Sequence, residues 1–414
     1  MITVPTHASR RPLVFWTATA LIAVDTILFT MVVPALPEYQ DRYGFSDAVG
    51  SLIFAAFPLG QLATAMWAAG LVDRVGRRPV MILAALTLAV ATLAFALANG
   101  VALLALARLI QGLAAGLVWT AALAAISDVY PQEELGYRMG LAETGGGVMG
   151  LLGPPVAGAL IEGVGLDATF YIATALPVLA LIPALFVPET RSAEAAATPT
   201  RLLSDLRRLW RVPAAKVAGV TLATSAGVLA MVEPLLPLDL SDRLGLSSLA
   251  VGVVFAVGFA AYLLLVPLAG RWSDRRGRRA PIVLGGVLMA VGLPFIAVGP
   301  VGLVTVAFSV AGAGMAAMIA PSGPLMVEAV DDAGMRGRYG LSSAALTVIF
   351  ALGYLVGPLL GAAASAVLPF LGATIIAAGI VVVVTWWAAR ALPRTKPRPE
   401  ALAPRPRGRA ASRW

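Results

Sequence analysis

The sequence predicts an all-α integral membrane protein: twelve transmembrane helices in two six-helix halves, related by a pseudo-twofold axis around a central cavity. Three observations predict it. Of the 414 residues 59% are hydrophobic and only 13% are charged, against roughly 25% charged in soluble domains. Twelve stretches stay apolar over the roughly 20 residues that a helix needs to cross a bilayer. Short motifs of the first half also return in the second at nearly one offset. Pro34-Ala35-Leu36-Pro37 returns as Pro234-Leu235-Leu236-Pro237 after 200 residues, and Asp73-Arg74-Val75-Gly76-Arg77-Arg78 as Asp274-Arg275-Arg276-Gly277-Arg278-Arg279 after 201. Gly153-Pro154 returns as Gly357-Pro358 after 204. A parallel repeat of six spans is a plan in which ligands bind near the midplane, between the halves.

Taken in order, the first six spans read as 13–36, 49–72, 79–98, 101–126, 139–161 and 168–187, making an N-terminal bundle over 1–188. Residues 189–213 read as a surface linker, Ala-, Thr- and Pro-rich over 192–200, with an amphipathic turn of helix over 202–209. The second six spans read as 214–238, 249–269, 281–298, 301–327, 339–367 and 370–392, a C-terminal bundle over 214–392. The Pro- and Arg-rich tail 393–414 reads as disordered.

Charge sets the orientation. Of the 30 Lys and Arg residues, 27 fall on one side; only Arg42 and Arg243 fall on the other, and Arg108 lies inside the fourth span. By the positive-inside rule both termini and the linker face the cytoplasm. The expected place is a bacterial plasma (inner) membrane, as a multi-pass monomer. The net charge of +8 then reflects basic loops facing an anionic inner leaflet rather than a nucleic-acid partner. The first ten residues do not read as a cleavable signal peptide. With no Cys and a single His, His7 in the polar N-terminus, thiolate metal sites and histidine catalysis are excluded. No Walker, HExxH or GxSxG motif occurs. The expectation is therefore a chain that is not an enzyme and uses no cofactor.

Against this apolar background a few polar side chains stand out. A charged residue near mid-bilayer costs roughly 2.5 kcal/mol or more by insertion scales, so it is a functional candidate by default. Asp25 sits in the first span and Glu233 in the seventh, each followed by two prolines, Pro34 and Pro37 or Pro234 and Pro237, where the helix is expected to bend or end. Arg108 needs a partner, and Asp25 and Glu143 are the candidates; the alternative is a purely structural ion pair between spans. Glu143 reads as lying about one turn from the cytoplasmic end of span 5. Gln61 is polar in mid-span. Phe29, Phe54, Phe57, Trp119, Phe259 and Tyr262 are candidates to line a cavity, where aromatic faces suit cationic ligands; packing or lipid contact is the alternative for each.

Three stretches carry a family resemblance. Gly70-Leu71-Val72-Asp73-Arg74-Val75-Gly76-Arg77-Arg78 resembles the loop 2–3 signature of the major facilitator superfamily. Its glycines would allow close approach and a turn. Asp73 would cap a helix or pair with an Arg, forming a charge latch that breaks as the halves rock; a simple topology anchor is the alternative. The second copy has Arg271 in place of Gly70, which weakens an equivalent latch there. Ala107-Arg108-Leu109-Ile110-Gln111-Gly112 resembles the superfamily's span 4 signature. Gly150-Leu151-Leu152-Gly153-Pro154-Pro155-Val156-Ala157-Gly158 resembles the span 5 signature of its proton-coupled exporters, repeated as Gly353 to Gly361 around Gly357-Pro358. Such Gly-Pro stretches can seal one side by tight backbone packing, or simply pack.

Within that superfamily the chain is similar to the drug–proton antiporters, and among them to the vesicular monoamine transporters and their bacterial relatives. The likeness rests on residues 24–39 and 230–237 and on the span 4, 5 and 11 motifs. It implies that Asp25 recognises an amine, that Glu233 is the buried span 7 carboxylate, and that Gln61 matches a Gln of the family. The chain departs from the likeness at Phe57, where a Lys is usual, near Ala316 and Thr347, where the family has Asp, and in lacking a large first loop. The resemblance implies export of cationic, amphipathic small molecules in exchange for protons, with Asp25 attracting the cation and Glu233 taking the proton; Glu143, at a position that is usually apolar in the family, is this chain's own alternative proton carrier. A dedicated exporter of one metabolite and a proton-coupled importer are the rival readings.

Overall fold

The computed structural model describes residues 7–191, 202–335 and 339–393. Fourteen helices cover them. The first half holds α1 (His7–Tyr43), α2 (Asp47–Val75), α3 (Arg77–Ala96), α4 (Val101–Val129), α5 (Gln132–Val164) and α6 (Leu166–Ala184). The second holds α8 (Pro213–Leu244), α9 (Ser248–Arg276), α10 (Arg279–Phe295), α11 (Val301–Ile319), α12 (Ser322–Asp332), α13 (Tyr339–Ser365) and α14 (Phe370–Ala391). Between them lies α7 (Leu202–Leu209), on the residues expected to form an amphipathic turn. Residues 192–201 of the expected linker, Arg336 and Arg338, and the tail from residue 394 lie outside the described residues.

The expected twelve spans are present, with three corrections. First, α1 and α8 do not end at their proline pairs. Pro34, Pro37, Pro234 and Pro237 all lie inside continuous helix, as happens where neighbouring helices re-satisfy the freed backbone groups. Second, α5 begins at Gln132 on the Pro131 N-cap, seven residues before the expected span. The acidic first turn with Glu133 and Glu134 suits the positive helix terminus, and Arg138 pairs with Glu134 at 3.0 Å. Glu143 therefore lies three turns into its helix, not one. Third, the tenth span is broken: α11 stops at Ile319, residues 320–321 form a turn, and α12 resumes at Ser322.

The packing shows the repeat. In the first half α1 packs on α5, α2 on α4, and α3 on α4 and α6; in the second α8 packs on α13, α9 on α11, and α10 on α11 and α14. The halves meet through α5 on α9 and α2 on α13, with α1 near α8. Peripheral helices turn large apolar side chains outward, among them Leu86, Val90, Val178, Ile182, Val382 and Trp386, as lipid-facing helices do.

Core composition shows which end is shut. On the side holding the chain termini, Phe15, Val72, Met81 and Ile126 form a core from the first half alone. There Leu209, Ile282, Leu325 and Val330 form one from α7 and the second half. On the far side the halves share their cores: Leu238 packs with Leu36, Tyr39 and Phe45, while Val33 and Phe54 join Val232 and Leu236. The molecule is thus sealed on the far side and open between the halves on the termini side.

Candidate functional site

A cavity of about 630 Å³ occupies that opening. The first half lines it with Asp25, Phe29, Phe57, Gln61, Trp119 and Glu143, the second with Glu233, Phe259, Tyr262, Phe350 and Tyr354. Most residues expected to line a cavity therefore meet there. Phe54 does not; it is fully buried behind Phe29, at 5.3 Å between ring centroids.

The two deep carboxylates are each held by one aromatic donor. Trp119 donates its indole N–H to Asp25 Oδ2 at 3.0 Å. The Tyr354 hydroxyl lies 2.9 and 2.8 Å from the two oxygens of Glu233. Asp25 is 3% exposed and Glu233 6%, so both are largely removed from water, where an ion costs most. Tyr354 carried no sequence signal of its own, although it sits within the span 11 Gly-Pro motif. Glu143 differs from both: it faces the open cavity and makes no ion pair among the described residues.

Among the described residues Arg108 has no carboxylate partner within ion-pair distance, contrary to the expected pairing with Asp25 or Glu143. Its guanidinium lies over three rings instead, 5.1 Å from Phe29, 5.4 Å from Phe54 and 4.8 Å from Phe57. It donates to Gln111 Oε1 at 3.2 Å. Three ring faces offer a delocalised cation an electrostatic bed, so Phe57 occupies its family-variant position as part of this bed.

The loop 2–3 motif forms a tight cluster, but inside the first half. Arg77, almost fully buried, pairs with Asp73 at 3.1 Å and with Asp128 at 2.7 Å. Gly76 adopts φ +110° at the turn. Just beyond it Glu189, rather than Asp73, caps α3, accepting from Arg77 N at 2.9 Å and Arg78 N at 3.2 Å. Arg191 closes the other side of the turn, donating to the carbonyls of Asp73 and Arg74. Gly70 meets nothing within 4 Å, so the close approach expected there is absent. The second half repeats the triad, with Arg278 2.7 Å from Asp274 and 3.1 Å from Glu328, despite Arg271. Neither cluster bridges the halves. Asp128, Glu189 and Glu328 were not singled out from sequence.

The span 5 motif sits where the far side closes. A Cβ on Gly153 would lie 3.0 Å from Ile27 O of α1, and one on Gly158 2.6 Å from Leu249 Cα of α9. From the other side, a Cβ on Gly252 of α9 would meet Pro154 and Pro155. Glu162 accepts from Leu249 N at 2.9 Å and Ser248 donates to Glu38 at 3.0 Å, across the same seam. The matching Gly357 instead packs within the second half, against Met231 of α8.

The sequence matches the Major Facilitator Superfamily model over residues 18–232 and again over 218–413. It is 30% identical over 361 residues to the synaptic vesicular amine transporter of Mus musculus, covering 83% of this chain and 66% of that protein. The chain thus spans slightly less than two thirds of that relative. It is 26% identical over 392 residues to the multidrug resistance protein MdtG of Citrobacter koseri, covering 91% and 94%. Among solved structures it is similar to a bacterial homolog of the human lysosomal transporter Spinster, with a TM-score of 0.74 at 16% identity, covering 92% of this chain and 97% of that one. At that identity the likeness speaks to the fold.

Proposed function

The chain belongs to the Major Facilitator Superfamily, a family of transporters rather than enzymes, and from that premise we propose that it exports cationic, amphipathic small molecules in exchange for protons by alternating access. The observation that carries the reading is the pairing of two buried carboxylates in one cavity, Asp25 from the first half and Glu233 from the second. A cation and a proton each neutralise such a carboxylate, so occupancy by one excludes the other, and exchange follows from that competition without ATP.

In this reading Asp25 receives the amine, with Trp119 fixing the orientation of its carboxylate and Phe29, Gln61 and Tyr262 contacting the rest of the ligand. Glu233 carries the proton and Arg108 supplies a fixed positive charge behind the aromatic wall. The termini side is the cytoplasmic side of a bacterial inner membrane, supported by the 27-to-2 split of basic residues. The two exceptions are also neutralised, Arg42 by Asp167 at 2.5 Å and Arg243 by Asp239 at 2.7 Å. The conformation is then inward-open, and the bundles 1–188 and 214–392 rock about the cavity to expose it outward. The similarity to an amine transporter and to a multidrug resistance protein supports the substrate class.

The test is flux in inverted membrane vesicles. With the lumen acidified, a permanently charged fluorescent quaternary ammonium dye should accumulate inside vesicles that hold the protein and not in vesicles without it, and a protonophore should release it. Accumulation only when the external medium is the more acidic would overturn export in favour of proton-driven import.

A further inference from the structure

The cavity holds three carboxylates, and only two of them are tied to an aromatic donor. Both Glu233 oxygens face the Tyr354 hydroxyl, which leaves that group shielded. Asp25 uses Oδ2 for Trp119, while its Oδ1 is buried without a hydrogen-bond partner among the described residues. Glu143 is free of ion pairs because the nearest cation on its own helix, Arg138, is already taken by Glu134 at 3.0 Å and stacked 4.5 Å from the Tyr130 ring. Two anionic points therefore remain unmatched, at different depths: Glu143 at the cavity surface and Asp25 Oδ1 just beneath it.

Their spacing follows from the packing of α5 on α1. A Cβ on Gly145 would lie 3.0 Å from Thr19 Cγ2, and one on Gly150 3.1 Å from Thr26 Cγ2, so the two helices run in the same direction. This register sets Glu143 about 9–12 Å nearer the mouth than Asp25, at about 1.5 Å of rise per residue. Between the two points the wall is aromatic: Phe259 and Tyr262 stand 5.4 Å apart and line the same cavity as Asp25 and Glu143.

We infer that this site takes elongated dications, with one positive end on Asp25 Oδ1, the other on Glu143, and an apolar chain laid along the aromatic wall between them. The inference rests on the cation-binding reading of the cavity and narrows it. A ligand with one charge satisfies one carboxylate and leaves the other uncompensated; a ligand with two charges at matching spacing satisfies both.

The probes are two quaternary ammonium ions on the same chain: two trimethylammonium groups joined by six methylenes, and hexyltrimethylammonium, which carries one. Equilibrium binding to the full chain in nanodiscs, with no pH gradient, separates recognition from coupling. The expected result is at least tenfold tighter binding of the dication by the parent, a dication-to-monocation affinity ratio near one in Glu143→Gln, and recovery of the preference in Glu143→Asp. Equal affinities in the parent, or an unchanged ratio in Glu143→Gln, would overturn the inference and leave the exporter reading standing. Binding of neither ion by a parent that is folded by size exclusion and thermal melting would overturn both.

Discussion

The Tyr354 hydroxyl reaches both oxygens of Glu233, at 2.9 and 2.8 Å. One donor between two acceptors centres the carboxylate, and the Tyr354 ring is itself fixed by stacking 5.0 Å from Phe350 and by an edge contact 5.9 Å from Phe29 of the other half. The carboxylate of the second half is thereby held by a ring that also touches the first. Any motion that parts α1 from α13 disturbs it.

Tyr354→Phe keeps this packing and removes only the donor. A hydrogen bond to a charged group contributes roughly 1.5–3 kcal/mol, so substrate-driven proton release in proteoliposomes should fall tenfold or more. Thermal melting of the detergent-solubilised protein reports whether the fold survives. Exchange at the parent rate would remove Tyr354 from the account.

The two loop triads should differ in weight. Arg77 has a side chain only 5% exposed and holds Asp128 at 12%, so Arg77→Ala strands a largely desolvated carboxylate and should destabilise by about 3 kcal/mol. Arg278 faces Asp274 and Glu328, which are 65% and 53% exposed, and Arg278→Ala should cost below about 1 kcal/mol. Thermal denaturation in one detergent compares them directly; equal losses would contradict the difference.

Much of this was legible in the sequence because lipid makes apolar run length a strong signal. Spans, repeat and the odd carboxylates Asp25 and Glu233 all follow from it. Helix outside the bilayer gives no such signal, so the polar residues 132–138 hid the first two turns of α5 and misplaced Glu143. The break at residues 320–321 was hidden for the opposite reason: hydropathy runs straight through it. Pro34 and Pro37 do not end α1, because in a membrane bundle neighbouring helices compensate for the backbone bonds that proline removes. At the site, Tyr354 was invisible, as an aromatic in an apolar helix looks like packing until its hydroxyl is placed. The rings around Arg108 belong to α1 and α2, and only the fold brings them to α4.

Arg108→Lys tests that aromatic bed. An ammonium keeps the charge but loses the planar face and the donor fork that suit three rings and Gln111. Exchange should fall about tenfold with melting shifted down by about 1–2 kcal/mol of stability, the scale of a desolvated cation–π contact. A Lys variant equal to the parent would show that charge alone suffices.

Gly158→Val tests the far-side seam. The added side chain must displace Leu249 of α9, favouring the outward-open state. Since the chain has no native Cys, a single Ser248→Cys reports accessibility. Ser248 is 6% exposed, and labelling by an impermeant maleimide from the far side should rise severalfold in the Gly158→Val background. Unchanged labelling would mean that this contact does not hold the seam.

The central claim is that cation and proton alternate on the cavity carboxylates, and the most direct measurement is coupled exchange in proteoliposomes for the parent, Asp25→Asn and Glu233→Gln. The account predicts that Asp25→Asn loses cation transport at least tenfold, and that Glu233→Gln still moves cations down their own gradient but no longer against them when a pH gradient is imposed. Gradient-driven exchange at parental rate in both variants would contradict it.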